Sequence, residues 1–193
     1  DVQNWILQKS GTFDNQAAQD AASTLQDWNN KGYMPEGVNA VDASTALSRF
    51  CNGEGLFFPS GNWNLDTVAK ALGDDVQFFA FPGATSEDEP NVAANAGAFY
   101  GIPVNAKNRD AAAAFLDYTQ SAEAQQIIVD NSGYLPKSST LDLKANSALQ
   151  QSMFDAYADV LTSGHTSDFI NNATAGMQSS GLIPNFQLLL DNS

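Results

Sequence analysis

The sequence has few basic residues and few of the side chains that cross-links and metal sites require. Lys and Arg number 8 against 22 Asp and Glu, which gives a formal net charge of −14. This balance argues against binding to nucleic acid or anionic lipid, and it favours a soluble protein with neutral or cationic ligands. Cys51 is the single cysteine and His165 the single histidine. No internal disulfide can therefore form, and these two residues do not make a zinc site.

Long apolar runs and a signal peptide are also missing. No stretch of the sequence is long and apolar enough to span a bilayer, and no leader pattern precedes the first apolar residues. The chain starts at Asp1 without methionine and leads directly into Trp5-Ile6-Leu7. We expect a fragment or a processed product, and these absences do not decide its compartment.

Motifs for catalysis and cofactor binding are incomplete. Ser60-Gly61 follows an apolar run, as in a nucleophile elbow, but that motif needs glycine where Phe58 stands. The same Phe58 breaks the dinucleotide fingerprint that Gly53-x-Gly55 would begin, and neither a Walker motif nor an EF-hand loop is present. The acidic run 87–89 is predicted to be an exposed loop, with carboxylates too close together for a glycosidase pair. We therefore expect no catalytic residue, no metal and no cofactor, and an enzyme is the less favoured class.

The stretch from Asp42 to Leu72 is predicted to form a helix, a buried strand, a tight turn and a second helix. Apolar residues from Ala43 to Cys51 recur at helical spacing, and the run 55–58 (GLFF) is typical of a buried strand. The second helix carries Asp66 in its first turn and stops at Gly73. In α/β proteins, ligands bind where the carboxyl end of a strand opens onto a helix.

Four polar and aromatic residues occupy that turn: Ser60, Asn62, Trp63 and Asn64. A flat aromatic ring beside carboxamide groups matches the apolar face and the hydroxyl rim of a sugar. Trp63 could equally be a core residue of the second helix, and Asn62 could be only an N-cap. The residues of the turn leave both interpretations open.

The rest of the sequence alternates predicted helices and strands. This alternation predicts an α/β fold. Helices are predicted from Asn15 to Asn30, over 111–118, after a Ser121 cap, over 144–162 and, more weakly, over 168–178, with strands over 76–81 and 97–104.

Three motifs, in order along the chain, resemble those of one family. Residues 50–63 resemble F-x-x-G-x-x-x-M-x-x-x-G-x-W, residues 97–116 resemble GG-aromatic-x-x-IP…KN-x-x-AA-x-x-FL, and residues 121–136 resemble S-x-E-A-Q…G-x-x-P. Together with the helix before Gly32-Tyr33 they resemble the sugar-binding, maltose-binding-protein-like group of the extracellular solute-binding proteins of ABC importers. The chain departs from the pattern at Ala98, where glycine is common, and the first portion of the family's sequence is absent.

The resemblance implies a periplasmic-binding-protein-like (type II) fold and a division into lobes. Residues 1–102 would belong to the C-terminal lobe, 103–136 would cross into the N-terminal lobe, and 137–193 would return to the C-terminal lobe as helices. The chain would thus hold mostly the C-terminal lobe with a segment of the other.

The resemblance also implies a set of ligand-binding residues. Trp63 matches the aromatic that stacks on the sugar, with Ser60, Asn62 and Asn64 as polar neighbours. Phe99 matches an aromatic that often faces the ligand, with Tyr100 beside it, and Phe186 sits where the family often places another cleft aromatic. The alternatives are that Phe99 is a strand core residue and that Phe186 packs with the following leucines.

The expected function follows from the resemblance. The protein would capture a mono- or oligosaccharide between two lobes and deliver it to the permease subunits of an ABC importer, without breaking a bond. It would lie outside the cell, lipid-anchored at the cell surface or in the periplasm, and would meet the membrane only through an anchor or the permease. The alternatives are a carbohydrate-active enzyme and a carbohydrate sensor or adhesion module without transport.

Overall fold

The computed structural model describes residues 2–83, 85, 91–94, 100–135, 142–163 and 166–191. Helices dominate these ranges, and the β pairing found in them is a parallel contact between Val92–Ala93 (β1) and Thr166–Ser167 (β2). The α-helices are α1 (Val2–Ile6), α2 (Gln16–Asn30), α3 (Ala43–Cys51), α4 (Leu65–Leu72), α5 (Arg109–Tyr118), α6 (Ala122–Ser132), α7 (Ala148–Ser163) and α8 (Ile183–Asp191). Short 3-10 turns occur at Val38–Ala40, Asn62–Asn64, Gly73–Asp75 and Ile170–Asn172, and a π-helical turn at Met177–Leu182.

The chain divides into two compact units. The terminal unit comprises Asp1–Asp42, Val92–Asn95 and Thr166–Ser193, and the central unit comprises Ala43–Asn91 and Ala96–His165. Helices α3 to α7 therefore belong to the central unit. The lobe boundaries at residues 102 and 136 remain a prediction.

The core of the central unit forms between α4 and α7. Leu65 and Val68 of α4 are buried with Leu149 and Met153 of α7. Residues 65, 68, 69 and 72 recur at helical spacing, so one face of α4 meets this cluster. A fully buried side chain such as Met153 contributes roughly 1.5–3 kcal/mol relative to exposure. Half-buried neighbours complete the cluster, among them Leu47, Phe50, Val76, Phe78 and Leu135.

Local signals define the ends of α6, as the sequence predicts. The Ser121 hydroxyl accepts a hydrogen bond from the amide of Ala124 at 3.2 Å, and this satisfies one of the unpaired amides of the first turn. Gly133 follows the last turn with φ +68°, a left-handed conformation that favours glycine. The buried Gln125 donates to the Thr119 carbonyl at 2.6 Å and so bridges the junction of α5 and α6.

The terminal unit joins distant parts of the chain through hydrogen bonds that side chains make to backbone groups and to one carboxylate. Asn39 donates to the Gln187 carbonyl at 3.0 Å, and Gln187 donates to the Asn39 carbonyl at 3.1 Å. Gln3 forms a similar pair with Asp168: it donates to the carboxylate at 2.9 Å and accepts from the amide at 2.7 Å. These bonds hold α8 and the segment after β2 against the first part of the sequence.

The helix predicted over 168–178 is wrong. That region contains a 3-10 turn at Ile170–Asn172, and continuous helical structure begins only at Met177. Gly176 adopts a left-handed φ of +78°, which interrupts a right-handed helix. Pro184, the second residue of α8, has no amide hydrogen to donate, and the turn before it, Met177–Leu182, takes the π form.

The strands predicted over 55–58 and 76–81 are also wrong. Leu56 is 89% and Phe57 73% exposed, so the first run is not a buried strand. The second run alternates between half-buried and exposed residues, as a strand does, but no described strand pairs with it. The Phe78 amide donates to the Ser152 hydroxyl at 2.8 Å instead. A β-strand needs a neighbouring strand for its backbone groups, and a local apolar pattern cannot supply one.

Two further predictions concern segments that lie wholly or partly outside the described residues. Residues 97–99 of the third predicted strand lie outside the described residues, and 100–104 form no strand. The predicted acidic loop at 87–89 also lies outside the described residues.

Candidate functional site

The candidate site is the turn that leads into α4. Asn62–Asn64 forms a 3-10 turn, and the first residue of α4, Leu65, is 5% exposed and belongs to the core. Gly61 precedes the turn in an extended conformation, with φ −128° and ψ −179°. The burial of Leu65 anchors the turn, while the residues before it stay near the surface.

The Trp63 side chain is 53% exposed, which is not the environment of an ordinary core residue. Its indole folds back over the backbone at Gly61. A Cβ atom placed on Gly61 would lie 2.7 Å from Cε3 of the indole, and nearer still to Cζ3 and Cη2. The benzo edge of the ring therefore lies directly over the glycine, and much of the ring remains open to solvent.

The polar residues of the turn do not serve as helix caps. Asn62 is the first residue of the 3-10 turn rather than its cap, and Asn64 precedes α4 without capping it through its side chain. The Asn64 amide instead donates to the Ser60 hydroxyl at 2.9 Å. The turn thus presents a hydroxyl and a carboxamide next to an aromatic ring.

The nearest charges along the sequence neutralise each other. Lys70 donates to the Asp66 carboxylate at 2.6 Å across one turn of α4. The turn of residues 60–64 itself carries no ionisable side chain. In the described part of the chain, no three His, Cys, Asp or Glu side chains gather as a possible metal site.

The other predicted site residues lie elsewhere. Tyr100 is 66% exposed in an irregular segment of the central unit. Phe186 is half-buried in α8 of the terminal unit, and Phe99 lies outside the described residues. The structure therefore brings together Ser60, Asn62, Trp63 and Asn64 in one turn, whereas Tyr100 and Phe186 belong to other segments of the chain.

Sequence reasoning missed the part played by Gly61. The sequence pattern places Gly61 in the tight turn and no more, whereas the structure shows the indole of Trp63 lying over it. The signal was present in the G-x-W spacing, which places the glycine two residues before the ring.

A surface cavity of about 330 Å³ lies in the terminal unit. The end of α2, the loop 34–39 and the end of α8 surround it. Among the predicted site residues that the structure describes, none lines this cavity.

Residues 60–64 place an exposed aromatic ring beside hydroxyl and carboxamide groups on a turn anchored in the core. A search for related families matches residues 3–154 to the model described as bacterial extracellular solute-binding protein. The match spans more than half of the 193 residues, and the chain belongs to this family.

The family assignment confirms the resemblance in its general terms. Members of the family are extracellular or periplasmic solute-binding proteins of ABC transporters and are typically not enzymes. All three sequence motifs lie inside the matched range, whereas Phe186 lies beyond it. The mostly helical structure is compatible with a periplasmic-binding-protein-like fold. No curated protein matches the chain, and no described helix has both the length and the apolar character to cross a membrane.

Proposed function

We propose that this protein captures a neutral mono- or oligosaccharide for an ABC importer and that Trp63 is the surface on which the sugar stacks. One observation carries the proposal: a half-exposed indole stands beside Ser60, Asn62 and Asn64 on a turn anchored by a buried leucine. The family assignment supports the role in solute uptake.

The chemistry of the turn fits the two kinds of surface that a sugar presents. The C–H face of a pyranose ring is apolar and packs on an aromatic face, while its hydroxyl groups need donors and acceptors. Asn64 uses one amide hydrogen on Ser60, so its carbonyl oxygen and its second hydrogen retain hydrogen-bonding capacity. The Ser60 hydroxyl accepts that bond and can still donate its own proton to a sugar oxygen.

The charge distribution supports a neutral ligand. The chain carries a formal net charge of −14, and the cation nearest the turn in sequence is paired with Asp66. An anionic sugar would approach a negative protein and would meet no basic side chain on the turn. A neutral saccharide avoids this repulsion.

The wider proposal follows the resemblance. Two lobes would close around the sugar by a hinge motion, and the closed form would dock on the permease subunits in the membrane. Tyr100, Phe99 and Phe186 would add contacts from other segments. The protein would act outside the cytoplasm, at the cell surface through a lipid anchor or in the periplasm, and would need no cofactor.

The test is a titration of the full-length protein with a panel of neutral and anionic saccharides by calorimetry. For the sugar that binds, Trp63→Ala should weaken affinity by roughly 1–3 kcal/mol, or about 5- to 150-fold, with an unchanged melting temperature. Tyr33→Ala, which removes another strongly exposed aromatic residue, 72% in solvent, serves as the matched control and should not change affinity. Equal affinity in Trp63→Ala would refute the stacking role, and cleavage of the sugar during the titration would favour the carbohydrate-active enzyme.

A further inference from the structure

Position 61 requires glycine because the Trp63 ring fills the space of a side chain there, and not because the backbone conformation requires it. With φ −128° and ψ −179°, Gly61 is extended, a conformation that any residue adopts. A Cβ atom at this position would nevertheless overlap the benzo edge of the Trp63 indole. Position 61 therefore excludes a side chain because the ring occupies its place.

We infer that Gly61 is a positioning residue that sets the orientation of the Trp63 ring for ligand stacking. The bare Cα leaves room for the benzo edge of the indole over the turn, and the bond from Asn64 to Ser60 closes the same turn. A ring held in one orientation loses less conformational freedom when a ligand stacks on it, and this increases affinity. The inference rests on the proposed function for its link to the ligand, whereas the ring orientation can be measured without one.

Any larger residue at position 61 must push the ring away. The overlapping atoms belong to a rigid bicyclic side chain, so the collision cannot be relieved by bending a flexible end. In Gly61→Ala the indole must rotate about χ1 or χ2, which exposes it further and misaligns its face. Gly101 offers a matched control, because a Cβ atom there would meet nothing within 4 Å and its φ is not positive.

The first experiment observes Trp63 directly in the ligand-free, full-length protein. Of the three tryptophans in this chain, Trp5 and Trp28 are replaced by phenylalanine, together with any that lie outside it, so that Trp63 alone fluoresces. Gly61→Ala should shift the emission to longer wavelength and raise the acrylamide quenching constant, while Gly101→Ala should change neither. Identical emission and quenching in Gly61→Ala and its parent would overturn the inference.

A thermodynamic cycle keeps the test decisive if Gly61→Ala proves unstable. Any stability that Gly61→Ala loses through collision with the indole should be restored when Trp63→Ala is added, since the obstructing ring is then absent. A loss that persists in the Trp63→Ala background would mean that position 61 is needed for another reason, and the inference would fail.

The ligand titration then connects orientation to binding. For a sugar whose affinity depends on Trp63, Gly61→Ala should lower the affinity about tenfold, equivalent to about 1.4 kcal/mol. Unchanged affinity would overturn the role of Gly61 in ligand binding. A sugar that binds equally to the parent and to Trp63→Ala refutes the proposed function itself, whereas the fluorescence result still decides whether Gly61 holds the ring.

Discussion

Gly133, at the end of α6, lies directly against Leu65, the first residue of α4. A Cβ atom on Gly133 would be 3.1 Å from both Cβ and Cδ2 of Leu65 and 3.4 Å from the amide nitrogen of Asp66. The glycine of the G-x-x-P motif therefore contacts the start of α4, two residues after the G-x-W motif ends. The turn that carries Trp63 is supported by this contact as well as by the buried face of α4.

Gly133→Ala should destabilise the protein by about 2–4 kcal/mol in urea unfolding. The left-handed conformation of residue 133, with φ +68°, disfavours any side chain, and the new methyl group also crowds Leu65. Gly53→Ala is the control because Gly53 has φ +84° with open space around it, and its cost should be about 1–2 kcal/mol. Equal losses in the two variants would show that Leu65 moves aside without cost.

Gln150→Leu should lower the free energy of unfolding by about 1–3 kcal/mol. Gln150 is 0% exposed, donates to the Val129 carbonyl at 2.9 Å and accepts from the Asn146 amide at 2.8 Å. Leucine cannot form hydrogen bonds, so the Val129 carbonyl and the Asn146 amide would both lose their bond to this side chain. The neighbouring Gln151 bonds the exposed Asp155, so Gln151→Leu should change stability by less than about 0.5 kcal/mol. A neutral Gln150→Leu would mean that relaxation or water replaces both bonds.

Two aromatic pairs should respond differently to truncation. Phe50 stacks on Phe58 with ring centroids 5.3 Å apart and packs on the core, whereas Phe57 is 73% exposed beside Phe79. Phe50→Ala should cost about 2–4 kcal/mol, and Phe57→Ala less than about 1 kcal/mol, in thermal or chemical unfolding. A large loss in Phe57→Ala would indicate that this residue is buried in solution, as a buried strand over 55–58 requires.

The reciprocal bonds between Asn39 and Gln187 should show measurable coupling. In a double-mutant cycle to alanine, we expect a coupling free energy of about 0.5–1.5 kcal/mol, since each side chain bonds the other residue's carbonyl. The exposed helical pair Gln16 and Asp20, 2.8 Å apart, provides a reference near 0.2–0.5 kcal/mol. Additive effects of Asn39→Ala and Gln187→Ala would show that these bonds do not hold α8 in place.

The sequence alone was sufficient for the elements that depend on local interactions. Ser121 caps α6, and Gly53, Gly73 and Gly133 follow helix ends, because capping bonds and left-handed residues act over a few positions. The order of the motifs along the chain was sufficient to predict the family. The sequence also predicts that Ser60, Asn62, Trp63 and Asn64 share one turn.

Tertiary structure alone decided what the local pattern leaves open. The runs 55–58 and 76–81 have strand-like composition, but a strand forms only when another supplies its backbone partners, and these runs have none in the described chain. The contact of Gly133 with Leu65 and the burial of Gln150 join residues distant in sequence, so no local pattern encodes them. The position of the Trp63 ring over Gly61 depends on both sequence and tertiary structure. The spacing of the two residues is visible in the sequence. Only the turn packed on the core shows that the ring fills the space a side chain at position 61 would need.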